Sequence, residues 1–336
     1  MTAAAKPGAA ARPAPRSAAP AARASLPERI LRGDALALAR AMSLVESGAA
    51  EAESILDQVY GRKDAAPRIG FTGPPGAGKS TLVAEYTRLL RGRGRQVGVV
   101  AVDPTSPFTG GAILGDRVRM SEHATDAKVF IRSMATRGSL GGLAARTGEL
   151  CELLSAWGSD VTLVETVGVG QSELDVAETA DTTVVVLTPE SGDAIQTLKA
   201  GLMEIADVLV LNKSDHSGAD QMEAALRSSL AFRPPGGFKP PIVRTIATQR
   251  EGLDALDEAV GSHRAWASSP EIAAERRRDK IRARLRHAVR EGLLEEWLAG
   301  QGLDSLLDRA AERVLAGDQS PYRAARELIE RMTRKG

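Results

Sequence analysis

The chain has 336 residues, 43% hydrophobic and 26% charged, which is enough apolar sequence for a full core and excludes a disordered chain or a small disulfide scaffold. Its 44 Lys and Arg against 43 Asp and Glu give a net charge of +1, so we expect neither nucleic acid nor a membrane as a partner. The single cysteine, Cys151, excludes an intrachain disulfide and favours a reducing compartment.

The N-terminal segment, residues 1–25, is rich in Ala, Pro and Arg and contains no acidic residue. This composition predicts a disordered tail, and with it a cytoplasmic protein. A mitochondrial transit peptide is also Arg-rich and poor in acids, and it would place the protein in the mitochondrial matrix. The abundant proline argues against the amphipathic helix that a transit peptide needs, so we favour the tail.

Residues 26–62 repeat apolar side chains at helical spacing and predict an N-terminal helical module. From residue 63 to residue 267, short apolar runs alternate with helical segments. The predicted strands are Ile69–Thr72, Val97–Val102, Val129–Ile131, Val161–Glu165, Thr183–Leu187, Val208–Leu211 and Ile242–Thr245. The predicted helices are Lys79–Arg91, Leu143–Trp157, Ala194–Ile205, Ala219–Leu230 and Leu253–His263. Apolar strands joined by helices indicate an α/β fold with a mostly parallel sheet covered by helices, in which ligands bind at the carboxyl ends of the strands.

The first of these strands runs into residues 73–80, Gly-Pro-Pro-Gly-Ala-Gly-Lys-Ser, a complete phosphate-binding loop between a strand and a helix. The glycines let consecutive backbone N–H groups face one anion, and the helix that follows adds its positive end. Lys79 is expected to reach the β and γ phosphates, Ser80 to ligate Mg²⁺, and Thr81 to add a lesser phosphate contact. We therefore predict a P-loop NTPase domain over residues 63–267, flanked by N-terminal and C-terminal helical extensions.

The base of the nucleotide is indicated by residues 212–215, Asn-Lys-Ser-Asp, at the end of a predicted strand. The Asp215 carboxylate can accept two hydrogen bonds from guanine N1 and N2, a donor pair that adenine lacks. An unpaired buried acceptor would disfavour adenine by about 1 to 3 kcal/mol, so GTP is favoured over ATP. Ala247, after the last predicted strand, is a less specific candidate to donate its N–H to the guanine carbonyl.

Two further strand ends supply carboxylates that could hold the metal. Glu165 follows the strand Val161–Val164, and the Gly168 N–H after it could meet the γ phosphate. Asp103 ends another strand, and Asp116 lies beyond a glycine-rich loop, where a solvated surface acid is an equally good interpretation.

Four long runs, residues 102–106, 109–117, 134–143 and 165–173, closely resemble the methylmalonyl-CoA mutase-associated GTPases. These are G-protein chaperones of adenosylcobalamin-dependent acyl-CoA mutases. The resemblance covers about residues 26–336 and implies a homodimer built through a C-terminal helical arm. It also implies that the protein gates cobalamin delivery to a mutase, methylmalonyl-CoA mutase being the first candidate, and protects that mutase from inactivation. A cobalamin adenosyltransferase is a further candidate partner.

The resemblance also implies a set of site residues, with GTP or GDP and Mg²⁺ as ligands. The phosphate contacts fall on Gly76, Ala77, Gly78, Lys79, Ser80 and Thr81. The metal shell falls on Ser80, Asp103, Asp116 and Glu165. The guanine contacts fall on Asn212, Lys213, Asp215 and Ala247. The segment 191–199, which ends at Lys199, resembles a mobile loop that reports the nucleotide state, although its residues also read as an ordinary helix start.

Catalysis is expected to use Lys79 and Glu165, but the water-orienting residue is not evident. Many GTPases place Gln directly after the γ-phosphate glycine, whereas this chain has Val169 there and Gln171 two residues later. We therefore expect slow turnover by the isolated protein, with charge stabilisation from Arg119, Lys199 or a partner side chain.

The C-terminal region, residues 268–336, contains a predicted long helix, Glu271–Trp297, with a dense basic run. Its interleaved acids and lack of aromatic partners favour a solvated face over a nucleic-acid site. Two further helices, Leu303–Leu315 and Pro321–Met332, complete a module too thin for its own core, which fits a dimerisation arm.

Two alternatives share the phosphate loop. A nickel-insertion GTPase usually collects His and Cys, but this chain has four scattered histidines and one cysteine. A P-loop kinase would have no need of Asn212 and Asp215, so comparing ATP with GTP binding separates it from a GTPase. A third alternative, an interaction protein whose nucleotide site is inactive, is disfavoured because Lys79, Ser80 and Glu165 are all present.

Overall fold

One parallel sheet organises the part of the chain described by the computed structural model, which covers residues 24–61, 65–103, 121–123, 125–135, 142–166, 172–190, 201–233, 237–300, 303–316, 318–321, 323–324 and 326–327. The strands are β1 Arg68–Thr72, β2 Val97–Asp103, β3 Val129–Ala135, β4 Val161–Thr166, β5 Thr182–Leu187, β6 Val208–Asn212 and β7 Ile242–Thr245. Within these residues the strand order is β3-β2-β4-β1-β5-β6-β7, and every pair is parallel. The predicted fold class and all seven predicted strands are confirmed.

Helices cover the sheet, and further helices precede its first strand and follow its last strand in the chain. They are α1 Leu26–Leu31, α2 Ala35–Ser47, α3 Glu51–Val59, α4 Lys79–Gly92, α5 Gly142–Trp157, α6 Ser172–Thr179, α7 Leu202–Ile205, α8 Ala219–Leu230, α9 Leu253–Ala267, α10 Pro270–Gly300 and α11 Leu303–Leu315. Of the helix predicted over Ala194–Ile205, only α7 falls among the described residues. The helix predicted over Pro321–Met332 and the tail 1–25 lie largely outside them. No helix in the described ranges is long and apolar enough to cross a membrane.

The N-terminal helices α1–α3 share a core with the sheet. Ile30, Leu38 and Met42 are fully buried in one cluster with residues of α5, β2 and β4. The Trp157 indole N–H donates to the Gly33 carbonyl oxygen at 2.9 Å and fixes the turn between α1 and α2 against α5. The predicted helical module of residues 26–62 is therefore packed onto the nucleotide-binding fold through its apolar faces.

Strand β3 extends four residues beyond the predicted end at Ile131. The continuation contains Arg132, whose guanidinium contacts both carboxylate oxygens of Glu46 on α2, each at 2.6 Å. The ion pair with a helix outside the sheet lets a charged residue stay in a strand that the apolar pattern alone would have ended.

Close packing of α6 on β1 depends on Gly70. A Cβ at this residue would lie 2.4 Å from Val176 Cγ1 and 2.9 Å from the Ala180 Cβ. Only glycine fits, and the helix that follows residues 167–171 is thereby held directly against the strand that carries the phosphate loop.

The long helix α10 docks at the amino end of β5. Arg276 Nη2 donates to the Asp181 carbonyl at 3.0 Å, Lys280 Nζ donates to the Ala180 carbonyl at 2.7 Å, and Lys280 also pairs with the Asp181 carboxylate. Burial alone would raise the pKa of Asp181, but the Lys280 ammonium holds it below its ordinary value. Burial lowers the pKa of Lys280 despite this partner. These contacts anchor the predicted arm to the domain.

Further along α10 an apolar stripe is exposed. Ile281, Leu285 and Val289 follow one another at four-residue spacing and are 41%, 59% and 58% exposed. The predicted long helix is confirmed, and its apolar face is open to solvent in the single chain over these positions.

Candidate nucleotide site

The loop between β1 and α4 has the backbone of a phosphate cradle. Gly73, Gly76 and Gly78 have φ values of 133°, 78° and 83°. A Cβ on Gly73 would lie 2.1 Å from the Val186 carbonyl oxygen of β5, so the loop passes against the neighbouring strand at a distance that only glycine permits. At Gly76 a Cβ would meet nothing within 4 Å, so this side of the loop borders open space.

Lys79 opens α4 and is 6% exposed. Its Nζ donates to the carbonyl oxygens of Gly73 at 2.8 Å and Pro74 at 3.0 Å. The ammonium therefore lies over the loop, where it can exchange these carbonyls for phosphate oxygens.

Ser80 and Glu165 meet at the carboxyl edge of the sheet, beside β1 and β4. Ser80 Oγ donates to Glu165 Oε1 at 2.5 Å, and both side chains are buried. Glu165 lies opposite Phe71 on β1 and Ala101 on β2, so the strand order brings it beside the phosphate loop. A hydroxyl and a buried carboxylate are hard oxygen donors, and this pair fits Mg²⁺ better than a soft metal.

The other predicted metal and catalytic residues are only partly placed. Asp103 ends β2 one residue after Val102, which lies opposite Thr166 on β4, so its backbone is at the same sheet edge as Glu165. Asp116, Arg119, Lys199, Gly168 and Gln171 lie outside the described residues. Among the residues that the structure does describe, no group of three or more His, Cys, Asp or Glu side chains is arranged to hold a metal ion.

Asn212, expected only to contact guanine, links three parts of the site. Its Nδ2 donates to the Ala77 carbonyl of the phosphate loop at 2.9 Å. Its Oδ1 accepts from Thr245 Oγ1 at 3.0 Å and from the Ala247 N–H at 3.2 Å. Asn212 is 2% exposed, so these bonds form inside the protein. The asparagine therefore joins the phosphate loop to the end of β7.

Ala247 begins a short 3₁₀ turn, Ala247–Gln249, directly after β7. Its N–H donates to Asn212 Oδ1, so it lies beside the predicted guanine motif and has a partner within the protein. From the sequence, Thr245 belongs to the segment 245–248, which was expected to supply a backbone N–H to guanine. Its hydroxyl bond to Asn212 was not expected, because a threonine at a strand end carries no signal of its own.

The remaining residues of the predicted guanine motif form a more exposed turn. Lys213 has a left-handed backbone, φ 54°, and its Nζ lies 3.7 Å from Glu190 Oε2. Asp215 is 41% exposed, so its carboxylate is accessible from solvent. His216 Nδ1 lies 2.7 Å from Glu190 Oε1, and its Nε2 lies 3.9 Å from Asp215 Oδ2.

Comparison with known proteins identifies the family of the chain. The family model described as Methylmalonyl Co-A mutase-associated GTPase MeaB matches residues 38–302. A candidate GTPase of Pyrococcus abyssi is 44% identical over 307 residues, which is 90% of this chain and 94% of that protein. The methylmalonic aciduria type A homolog of Mus musculus, mitochondrial by name, is 34% identical over 322 residues, 90% of this chain and 77% of the mouse protein.

A solved structure shares the architecture. The crystal structure of a LAO/AO transport system kinase matches with a TM-score of 0.69 and 29% sequence identity, covering 92% of this chain and 96% of that one. The match extends beyond the strands that carry the site to nearly the whole of both chains.

Proposed function

The chain belongs to the methylmalonyl-CoA mutase-associated GTPase family and is a GTPase, and from that premise we propose that it is a chaperone of a cobalamin-dependent acyl-CoA mutase. In this role it binds and hydrolyses GTP, gates the loading of adenosylcobalamin, and protects or reactivates a mutase such as methylmalonyl-CoA mutase. The observation that carries the nucleotide chemistry is the meeting of the phosphate loop, Glu165 and Asn212 at the carboxyl edge of one parallel sheet.

Nucleotide binding follows from the groups at that edge. The backbone N–H groups of the loop, among them those of Gly76, Ala77 and Gly78, surround the phosphates. Lys79 places its positive charge beside the β and γ phosphates. Thr81, in the first turn of α4, adds a contact to the same phosphates. Ser80, Glu165, Asp103 and Asp116 are the oxygen donors assigned to Mg²⁺, which when bound neutralises phosphate charge. Lys213, Asp215 and Ala247 recognise the guanine beside Asn212.

Hydrolysis is proposed to be slow in the isolated protein. Val169 occupies the place where many GTPases have the glutamine that orients water. Lys79 contacts the phosphates and Glu165 contributes to the Mg²⁺ site, while stabilising the charge that develops on the phosphates during hydrolysis requires a further cation. Arg119, Lys199 and a side chain of the client mutase are the candidates for that cation.

The client assignment is supported by two findings. The matching family model carries the mutase in its description, and the mouse relative is named for methylmalonic aciduria. The exposed stripe at Ile281, Leu285 and Val289 supports a homodimer formed through the region 268–336, since a second copy can cover these side chains. A cobalamin adenosyltransferase is the proposed further partner in cofactor delivery. Residence in the mitochondrial matrix is proposed only if residues 1–25 act as a transit peptide, and in the cytoplasm otherwise.

The nucleotide site is tested by two substitutions. Lys79→Ala is expected to abolish GTP binding in calorimetry, and unchanged affinity would refute the phosphate assignment. Asp215→Asn exchanges one acceptor oxygen for a donor and is expected to weaken GDP and strengthen XDP, since xanthine has a carbonyl where guanine has its amino group. Preference of the unmodified protein for ATP would instead favour the kinase alternative.

The client is tested by affinity capture of the tagged protein from its native cell, with GDP and then with a non-hydrolysable GTP analogue. An acyl-CoA mutase is expected to be recovered in a nucleotide-dependent manner. Lys79→Ala serves as the matched control: it is expected not to bind nucleotide, so its recovery of the mutase should not depend on which nucleotide is added. Recovery of no mutase under either nucleotide contradicts the chaperone proposal, and recovery of a nickel enzyme supports the metal-insertion alternative.

A further inference from the structure

A closed series of hydrogen bonds joins the phosphate loop, its helix and the turn after β7. Arg250 Nε donates to Glu85 Oε2 on α4 at 2.9 Å, and the Arg250 backbone N–H donates to the Ala247 carbonyl at 3.2 Å. The Ala247 N–H donates to Asn212 Oδ1 at 3.2 Å, and Asn212 Nδ2 donates to the Ala77 carbonyl at 2.9 Å. Ala77 lies two residues before α4, so the series returns to the helix on which it began. The turn is therefore attached at two points to the element that carries the phosphate loop.

Arg250 has a backbone conformation that its residue type disfavours. Its φ of 63° lies in the left-handed region, where a Cβ is strained and glycine is preferred. Among the residues that the structure describes, Lys213 and Arg250 are the two non-glycine residues with positive φ. One belongs to the predicted guanine motif, and the other ends the turn that begins at Ala247. A strained residue kept at such a place points to a use for its side chain.

The carboxylate that receives Arg250 is held within its own helix. Glu85 is 17% exposed, and its Oε2 also accepts from Arg88 Nε on α4 at 3.0 Å. Arg250 is 59% exposed, so its bond to Glu85 contributes as a surface ion pair does. Glu85 is thus a fixed point on α4, and Arg250 brings the turn to it.

We propose that Arg250 is a positioning residue for guanine recognition: by bonding Glu85 it holds the turn 247–250 against α4 and keeps the Ala247 N–H where it meets the guanine carbonyl oxygen. This inference rests on the proposed function, which assigns Ala247 to the base. Asn212 attaches the turn at its first residue and Arg250 attaches it at its last, and a turn that is already fixed binds its ligand at a lower ordering cost. A three-centre hydrogen bond lets the Ala247 N–H serve Asn212 and guanine together.

The test compares GDP with 6-thio-GDP, in which sulfur, a weaker acceptor, replaces the carbonyl oxygen assigned to Ala247. The ratio of the two affinities in calorimetry reports on that contact and is insensitive to phosphate binding. Arg250→Asn tolerates the left-handed backbone but cannot reach Glu85. It is expected to weaken GDP about two- to fivefold, the range for a surface ion pair, and to weaken 6-thio-GDP less. Arg250→Lys, which keeps the charge, is expected to restore part of the ratio.

Two further variants test whether the effect runs through Glu85. Glu85→Ala is expected to lower the ratio as Arg250→Asn does, and the double variant is expected to lower it no further, because both changes remove the same contact. Arg88→Ala is the matched control. It removes the other guanidinium bonded to Glu85 Oε2, which belongs to α4 itself, and is expected to leave the ratio unchanged.

The outcomes separate this inference from its premise. An unchanged ratio in Arg250→Asn, an equal loss for GDP and 6-thio-GDP, or additive effects in the double variant overturn the positioning role. A fall with Arg88→Ala as large as with Arg250→Asn also overturns it, because the effect would then arise within α4. If the unmodified protein binds GDP and 6-thio-GDP equally, the Ala247 contact is wrong and the inference fails with it. Failure of the proposed function differs from all of these, since the unmodified protein would then bind ADP as tightly as GDP.

Discussion

The three hydrogen bonds of Asn212 predict that it stabilises the protein before any nucleotide binds. Asn212→Ala removes the bonds to the Ala77 carbonyl, the Thr245 hydroxyl and the Ala247 N–H. All three partners are buried, so they cannot recover the lost bonds from bulk water. At about 1 kcal/mol for each bond, with a further desolvation penalty for the groups left unpaired, the free energy of unfolding should fall by about 3 to 5 kcal/mol.

The assay is urea unfolding of the nucleotide-free protein, followed by calorimetric titration with GDP. Thr245→Val is the matched control, because it removes only one of the three bonds and keeps the side-chain volume; it should lower the unfolding free energy by about 1 kcal/mol. Asn212→Ala should also weaken GDP binding, since the phosphate loop and the base turn lose their connection.

An alternative view assigns Asn212 only to the base. In that case Asn212→Ala would weaken GDP binding while leaving the nucleotide-free protein as stable as the unmodified one. A loss below about 1 kcal/mol without nucleotide, or a loss no larger than that of Thr245→Val, would refute the linking role.

Three further perturbations test the packing around the site. Lys280→Met should lower the unfolding free energy by about 0.5 to 1 kcal/mol at neutral pH, since its ion pair with Asp181 is partly exposed. Because the pKa of Asp181 is lowered in the folded protein, the ionised carboxylate stabilises the fold above about pH 4, and this stabilisation is lost as the pH falls. Urea unfolding should therefore show a smaller difference between the variant and the unmodified protein in acid. Gly70→Ala should cost about 1 to 3 kcal/mol through its clash with Val176, and adding Val176→Ala should recover part of that in thermal unfolding; no recovery would contradict the clash. Leu38→Ala should cost about 2 to 5 kcal/mol within a single unfolding transition, whereas a separate early transition would show that α1–α3 do not share the sheet's core.

The local pattern predicted well those features that depend on neighbours in the chain. All seven strands were predicted because each is a short apolar run bounded by turn residues, and α4 because it follows a loop with a specific glycine pattern. The end of β3 was missed because Arg132 interrupts its apolar run, and the partner that keeps it in the sheet is Glu46, 86 residues earlier. A single sequence contains no signal for that pairing.

Among the site residues, the sequence was informative about chemical type and less so about partners. Lys79, Ser80, Glu165 and Asn212 were each expected at the nucleotide, and the structure brings them to one edge of the sheet. From the sequence, Asn212 is expected to contact only the base. Its hydrogen bonds within the protein go to Ala77, Thr245 and Ala247, which are distant in the chain and whose residue types do not indicate such a contact.

The sequence by itself therefore determined the fold class, the phosphate loop and the preference for guanine, because these follow from periodicity and from residue types at fixed short spacing. The order of the strands was decided only by the tertiary structure. It places β4 next to β1, so that Ser80 meets Glu165, 85 residues away, and it lets Asn212 reach across β5 to Ala77, 135 residues away. Crossover connections fix which strand ends become neighbours, and the hydrogen bonds that assemble the site form between those ends.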